Sequence, residues 1–438
     1  MSTQDPREEK DEQLVELDTS RNHFERNGGQ LGETLEPAKP EPTRSKTAGL
    51  STKAALKFVI LFGVVSLFAD MTYEGARSIN GSFLAVLGAN ATIVGIVVGF
   101  GELVGYGLRM VSGTLGDRTG LYWPITFVGY AINLLAVPLL ALAGNWPVAA
   151  LLMIAERAGR AIRVPTRDAM LAHASSRIGQ GWGFGIHEAL DQVGATIGPL
   201  LIAAVVLLSS GDYRPGYAVL LLPALLALVT LGFNRFFYPR PQDFETLAAK
   251  SQDRQLSRPF WLYLLAAALI AAGYVDYPLF AFHFEKTGTV SPVLIPVFFA
   301  VAMAVDALTA LISGRLYDRL GFGVLVGAAC ITVFASPLVF LGDSTLALLG
   351  VAIWGVGMGI QDSTLRAALA SLIAPERRAS AYGVFDTAYG VFWFLGSALM
   401  GFLYDTWLPG LVIFSVTIQL AAVPVLLLVA RSFQRRRA

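Results

Sequence analysis

The chain has one cysteine and four histidines in 438 residues, and only 15% of it is Asp, Glu, Lys or Arg. The lone Cys330, inside the apolar run GAACITVF, can form neither an intrachain disulfide nor a thiolate metal cluster, and reads as a small packing residue. His23, His173, His187 and His283 offer little material for imidazole metal sites or acid–base chemistry. Charge is balanced as well as scarce: 33 Lys and Arg face 32 Asp and Glu, a net +1 that gives no reason to expect nucleic acid or an acidic partner. HExxH and GxSxG are missing, since His187 and Glu188 are followed by ALD, and GVGMGIQ has the spacing of close-packing glycines in membrane helices. With no Walker loop or nucleotide domain, neither an enzyme nor a primary pump is expected, no cofactor is implied, and any energy should come from an ion gradient.

What the chain does have is apolar length. Hydrophobic residues make up 54% of it, and the mean hydropathy is +0.57, whereas soluble domains carry about 25% charged residues. The first fifty residues differ, with eleven acids, seven bases, no aromatic but Phe24 and no apolar periodicity, so residues 1–53 are expected to be a disordered cytosolic tail. That tail lacks the basic start and apolar core of a signal peptide. From Lys57 on, apolar runs near the ~20 residues needed to cross a bilayer recur. They fall at 57–87, 91–112, 122–143, 147–170, 182–208, 216–234, 259–284, 293–313, 323–341, 345–370, 381–404 and 408–430. The expected fold is therefore all-α, with twelve membrane helices: a six-helix bundle at 54–235, a cytosolic linker at 236–258, a second bundle at 259–431 and a basic tail at 432–438. Lys and Arg concentrate in alternate gaps, only Arg214 and Lys286 falling in the others, so both termini are expected in the cytoplasm of a multi-pass protein of the inner or plasma membrane.

The halves repeat each other. GTLGDRTG (Gly113–Gly120) follows the second span and GRLYDRLG (Gly314–Gly321) the eighth, 201 residues later, in what reads as the same loop of each half. Arg167 of PTRDAMLA matches Arg366 of TLRAALA, and FGIHEALDQVGATIGP matches YGVFDTAYGVFWFLGS through Gly185/Gly383, Glu188/Asp386 and Gly198/Gly396. A duplicated six-helix unit is the architecture of alternating-access carriers. On these motifs, residues 54–431 resemble the major facilitator superfamily, and SLFADMTYE, RVPTRDAML and HEALDQVGATIGP resemble its NreB-like bacterial exporters, some of them linked to nickel resistance. The resemblance implies that Gly113, Asp117, Arg118, Arg167, Gly314, Asp318, Arg319 and Arg366 belong to inner-gate loops. It also implies that Gly194, Gly198 and Pro199 form the glycine–proline motif of exporters, a motif the second half, with FWFLGS, lacks.

Ionisable groups inside the spans carry the remaining signal, because each costs about 2.5–3.5 kcal/mol at the bilayer centre unless it faces a cavity or a partner. Asp70, Glu74 and Arg77 share one face of the first span, either as a structural ion cluster or with one acid titrating as the coupling site. Glu74 precedes Asp276 by 202 residues, so the two acids are candidates to face each other across the pseudo-twofold axis. Glu102 falls near the midplane, and Arg109 lies nearer the gate. Glu156, Arg160, Arg163 and Arg167 share a face of the fourth span, to pair with Asp70, Glu102 or Glu188 or to bind an anion, with Pro165 interrupting the backbone. His187, Glu188 and Asp191 share a face of the fifth; His187 and Asp191, with His283, are the weak metal candidates, and polar pairing with the fourth-span arginines is the rival reading. Asp306 stands alone in the eighth span as a proton-site candidate, while Asp362 with Arg366 reads as gate.

The function expected from all this is a monomeric secondary transporter, a proton-driven exporter of a small amphipathic organic solute, with Tyr73, Tyr106, Tyr277, Phe280 and Trp393 as wall residues. A divalent-metal exporter, a proton-coupled uptake symporter and a non-transporting membrane sensor remain as alternatives.

Overall fold

The computed structural model describes residues 52–176, 178–239, 258–365, 368–369, 372–373 and 378–437, without the side chains of Gln180, Asp318, residues 378–380 and residues 433–437. The expected tail and linker lie almost wholly outside the described residues, as does Arg366. The helices are α1 (Thr52–Val86), α2 (Ala91–Thr119), α3 (Tyr122–Leu139), α4 (Trp146–Ser175), α5 (Gln180–Leu208), α6 (Arg214–Val219) and α7 (Leu221–Phe237) in the first half. The second half holds α8 (Arg258–Gly273), α9 (Tyr277–Thr287), α10 (Leu294–Leu320), α11 (Gly323–Thr332), α12 (Ala335–Leu341), α13 (Ser344–Ile360), α14 (Arg378–Thr406) and α15 (Leu408–Arg437). No strand occurs among the described residues.

Among the described residues, eleven segments are long and apolar enough to cross a membrane. The exception is α4, whose middle carries Glu156, Arg157, Arg160 and Arg163 although its 30 residues span as far as its neighbours. Pro165 does not interrupt it; the helix runs on to Ser175. Large apolar side chains such as Leu151, Leu207, Leu308 and Phe402, each more than half exposed, cover the outside of the bundle, a surface suited to lipid rather than water.

The repeated G-x-L-x-D-R-x-G motif is not a loop. All of it but the last glycine forms the final turns of α2 and of α10. Gly120 and Gly321 then take φ of 66° and 56°, which a Cβ would strain, and so stop each helix. Gly113 is packed: a Cβ there would lie 3.3 Å from Pro165 of α4, whereas one on Gly314 would meet nothing within 4 Å.

Several of the described spans are not single unbroken α-helices, among them the sixth, which divides into α6 and α7. The seventh breaks between α8 and α9, where the bared backbone is recapped from neighbouring helices, as hydrocarbon requires. Gly273 O accepts Ser415 Oγ at 2.7 Å and Gln419 Nε2 at 3.0 Å, and Val275 O accepts Trp354 Nε1 at 2.7 Å. The ninth divides into α11 and α12, and α13 ends in a π turn, Gln361–Leu365.

Duplication shows in packing as well as in sequence. A Cβ on Gly198 would stand 2.3 Å from Met71 O of α1, and one on Gly396 would stand 2.1 Å from Ala272 O of α8. The halves meet through α1 with α9, α2 with α14 and α5 with α10. On the first two pairs the tight contacts gather at the end remote from the termini. There a Cβ on Gly81 would overlap Pro278 O at 1.7 Å, and Cβ atoms on Gly95 and Gly401 would lie 2.2 and 2.4 Å from Ser397 O and Ala91 O. Ser82 Oγ donates to Ala281 O at 3.0 Å, and Asp405 accepts from the Ala91 and Thr92 amides at 3.1 and 2.8 Å. Tyr213 OH donates to Glu285 at 2.5 Å, and burial followed by that carboxylate pushes the phenol pKa above its ordinary value. Away from that end the α2–α14 contacts pass to side chains: a Cβ on Gly390 would lie 2.8 Å from the Tyr106 side chain and one on Gly383 3.8 Å from Met110 Sδ.

Candidate functional site at the centre of the bundle

The buried charges of α1, α2 and α4 form one network. Its pivot is Arg157, whose Nη2 lies 3.3 Å from Glu102 Oε1 and whose Nε lies 3.6 Å from Glu156 Oε2. Glu74 joins the other two arginines, at 3.6 Å from Arg77 Nη1 and 3.8 Å from Arg160 Nη1. Asn133 of α3 ties the network down: its Nδ2 donates to Glu156 Oε1 at 2.8 Å, and its Oδ1 accepts from Arg163 Nε at 3.2 Å. Arg163 is then sandwiched, 4.3 Å from the Tyr130 ring centroid and 5.6 Å from that of Tyr73, while Arg160 lies 4.3 Å over Tyr73. Paired and stacked in this way, guanidinium groups become tolerable inside the bundle.

The sequence expectations sort clearly against this geometry. Asp70, Glu74, Arg77, Glu102, Glu156 and Arg160 are brought together. Glu156, however, pairs with Arg157 and not with Arg160 one turn on, and Arg160 reaches across to α1. Asp70 Oδ1 is buried with no hydrogen-bond partner; its helix is pressed against α5, where a Cβ on Gly194 would stand 2.2 Å from Leu67 O. Gly194 and Gly198 thus act as a contact strip between α5 and α1, with Pro199 buried inside a continuous α5.

Asp276 does not meet Glu74. It stands at the amino end of α9, where its carboxylate accepts Trp393 Nε1 at 3.0 Å and Ser397 Oγ at 2.5 Å. Tyr277 and Phe280 are fully buried rather than wall residues. Tyr277 OH donates to Ile295 O at 2.5 Å, and both rings pack on Trp354. Tyr106 packs edge-on against Tyr389.

Of the metal candidates, His187 and Asp191 meet, and His283 has a different partner. His187 Nδ1 lies 3.4 Å from Asp191 Oδ2 and its Nε2 is 2.7 Å from Ser66 Oγ, so both ring nitrogens are engaged. His283 instead pairs with Tyr404 OH at 2.9 Å. Among the described residues no group of three His, Cys, Asp or Glu could hold a metal ion. Glu188 is exposed and accepts from Gln192 at 3.2 Å, without a fourth-span arginine.

Of the gate residues, Asp117, Arg118 and Arg319 are exposed; Asp117 accepts Tyr122 OH at 3.5 Å, and Arg167 donates to Asp168 at 2.8 Å. Asp306 in α10 is 3% exposed. Two network members escaped the sequence reading as site residues. Arg157 lies off the stripe of the fourth-span charges, and Asn133 is a single amide in the run YAINLLAV, whose mid-span position was its only signal.

The comparisons with known proteins agree with this architecture. A family model described as Major Facilitator Superfamily matches residues 58–397. An uncharacterized protein of Mycobacterium tuberculosis is 44% identical over 375 residues, covering 84% of this chain and 92% of its own length. An uncharacterized MFS-type transporter of Methanocaldococcus jannaschii is 24% identical over 363 residues, 80% of this chain and 88% of its own. Among solved structures, a mutant peptide transporter in complex with sulfate superposes with a TM-score of 0.68 at 12% identity, over 89% of this chain and 97% of its own, a likeness of fold.

Proposed function

The chain belongs to the Major Facilitator Superfamily, and on that premise we propose that it is a proton-coupled exporter of a small amphipathic organic solute, working by alternating access in the bacterial inner membrane. Membership makes it a multi-pass transmembrane transporter; direction, coupling and cargo are our reading.

One-sided closure around a buried ion network carries that reading. The halves are zipped at the end remote from the termini by Gly81, Gly95, Gly401 and Asp405, with backbone-to-backbone contacts that the α2–α14 pair does not repeat towards the other end. With both termini cytoplasmic, as the Lys and Arg bias supports, this arrangement is inward-facing. Rocking of the halves would then expose the same centre to the other side. In the export cycle, an acid among Asp70, Glu74, Glu102 and Asp306 takes a proton from outside as cargo leaves, and gives it up inside as cargo binds. A surplus of carboxylates supports this: Asp70, Asp276 and Asp306 have no described ion pair, whereas the described carboxylate–guanidinium contacts of α1, α2 and α4 in the network engage Glu74, Glu102 or Glu156.

The test is proton movement by the full chain in proteoliposomes, on adding cationic, anionic and neutral amphiphiles and Ni²⁺, for wild type, Asp70→Asn, Glu74→Gln and Glu102→Gln. Exporting antiport requires that a solute drive protons and that one neutralised acid abolish this. Solute binding without proton movement in any of the four proteins would replace it with an uncoupled carrier whose carboxylates are structural.

A further inference from the structure

Asp306, like Asp70, is a central acid that no described ion pair or hydrogen bond to its Oδ1 accounts for. It lies on α10 seven residues after Phe299, so the two share a helix face. Phe299 receives the Arg77 guanidinium of α1 at 6.0 Å from its ring centroid, so this face of α10 looks across at the other half. On the remaining side the backbone of α13 closes in, where a Cβ on Gly359 would stand 3.0 Å from Asp306 Oδ1. The residue is 3% exposed, and Oδ1 has no hydrogen-bond partner. Nothing in the described structure donates to this carboxylate, in contrast to Asp276, which receives Trp393 and Ser397.

Among the charges that act on Asp306 are those of Asp362 beyond α13, Glu188 of α5, and Glu74 and Arg77 of α1. Three of these are carboxylates, and Arg77 is already held by Glu74 at 3.6 Å. A bare carboxylate so enclosed and so surrounded is costly, and a proton or a cationic group must neutralise it. Arg157 is engaged by two acids, and Arg163, 1% exposed, is closed in between Tyr73 and Tyr130.

We propose that Asp306 is the cargo-binding carboxylate and that the cargo is an amine carrying one positive charge on an apolar body. The ammonium replaces the proton on Asp306: the protonated acid and R–NH₃⁺ become a carboxylate–ammonium pair and one free proton, released to the open end. Charge balances, and occupancy by proton and by amine exclude each other at a single group. The inference rests on the carrier reading above and adds its charge class and its exchange site.

Three dyes sharing one fluorophore test it on the purified full chain: dansylcadaverine (cationic), dansylamide (neutral) and dansylglycine (anionic). The expected result is saturable binding of dansylcadaverine at least about tenfold tighter than of the other two, with about one proton released per dye in weakly buffered solution. Asp306→Asn should lose that preference together with the proton release. The comparison among dyes on wild type stands even if the variant folds poorly. The inference is overturned by equal binding of the three, by preference for dansylglycine, by no saturable binding of dansylcadaverine, or by a folded Asp306→Asn that binds and releases protons like wild type. In proteoliposomes, exchange of dansylamide or dansylglycine for protons would sink the amine and keep the carrier. An amine bound at Asp306 but moved under no gradient would instead sink the carrier.

Discussion

Asp405 of α14 seats its carboxylate on Thr92 at the start of α2, accepting the Thr92 amide at 2.8 Å and its hydroxyl at 2.6 Å. A side chain of one half thereby caps a helix of the other, and the positive end of the α2 dipole receives a negative charge. The contact exists only while that end of the molecule is closed.

Asp405→Ala should therefore favour opening there. Loss of a cap costs about 1 kcal/mol, a roughly fivefold shift in population. Spin labels at Gly144 and Ser291, in a Cys330→Ser background, should show the longer-distance population growing by that factor. An unchanged distance distribution would mean that the glycine contacts alone hold the closure.

Arg157→Met strands both Glu102 and Glu156, which lie 3.3 and 3.6 Å from its guanidinium. Removing one member of a buried ionic cluster typically costs about 3–5 kcal/mol, so thermal unfolding in detergent should occur at clearly lower temperature. Adding Glu102→Gln should recover part of the loss; strictly additive effects would refute the pivot role.

Gly198→Ala and Gly396→Ala each place a methyl against a carbonyl, that of Met71 at 2.3 Å and that of Ala272 at 2.1 Å. Each should cost about 1–3 kcal/mol of stability. Gly185→Ala, with no atom within 4 Å, should be neutral or gain up to about 1 kcal/mol from helix propensity. Thermal shifts of the three variants side by side decide the matter.

Trp393→Phe withdraws the donor that reaches both oxygens of Asp276 at 3.0 Å. A hydrogen bond to a charged group contributes about 1.5–3 kcal/mol, and Ser397 alone would remain. Asp276→Asn should suffer less from the same change, a difference that a double-mutant cycle in unfolding temperature would measure.

How far the chain announced this depends on which residue is considered. Hydropathy made the spans plain, and the 201-residue echo of GTLGDRTG in GRLYDRLG exposed the duplication. Helical periodicity also brought Asp70, Glu74 and Arg77 onto one face. Periodicity failed where a long side chain left its own stripe: Arg157 bends to reach α2, and Arg160 bypasses Glu156 for Glu74 of α1. Tyr277 and Phe280 look alike in sequence whether they line a cavity or fill a core, because only the partners across the helix, here Trp354 and Phe299, distinguish the two. The motif assigned to a loop proved helical because a stop at Gly120 or Gly321 depends on a single φ angle. The broken seventh span was written as GYVDYP, with Gly273 and Pro278 on either side of the gap, but a hydropathy window averages over such a feature.

That break divides allegiance within one span. Below it, α8 packs on α14 and α15 of its own half; above it, α9 packs chiefly on α1, with α2, of the opposite one. The seventh span therefore cannot travel as a rod when the halves part. Either α9 lets go of α1 along Gly81 and Ser82, or the three residues Tyr274–Asp276 turn as an elbow and α9 stays behind as a borrowed piece of the first bundle.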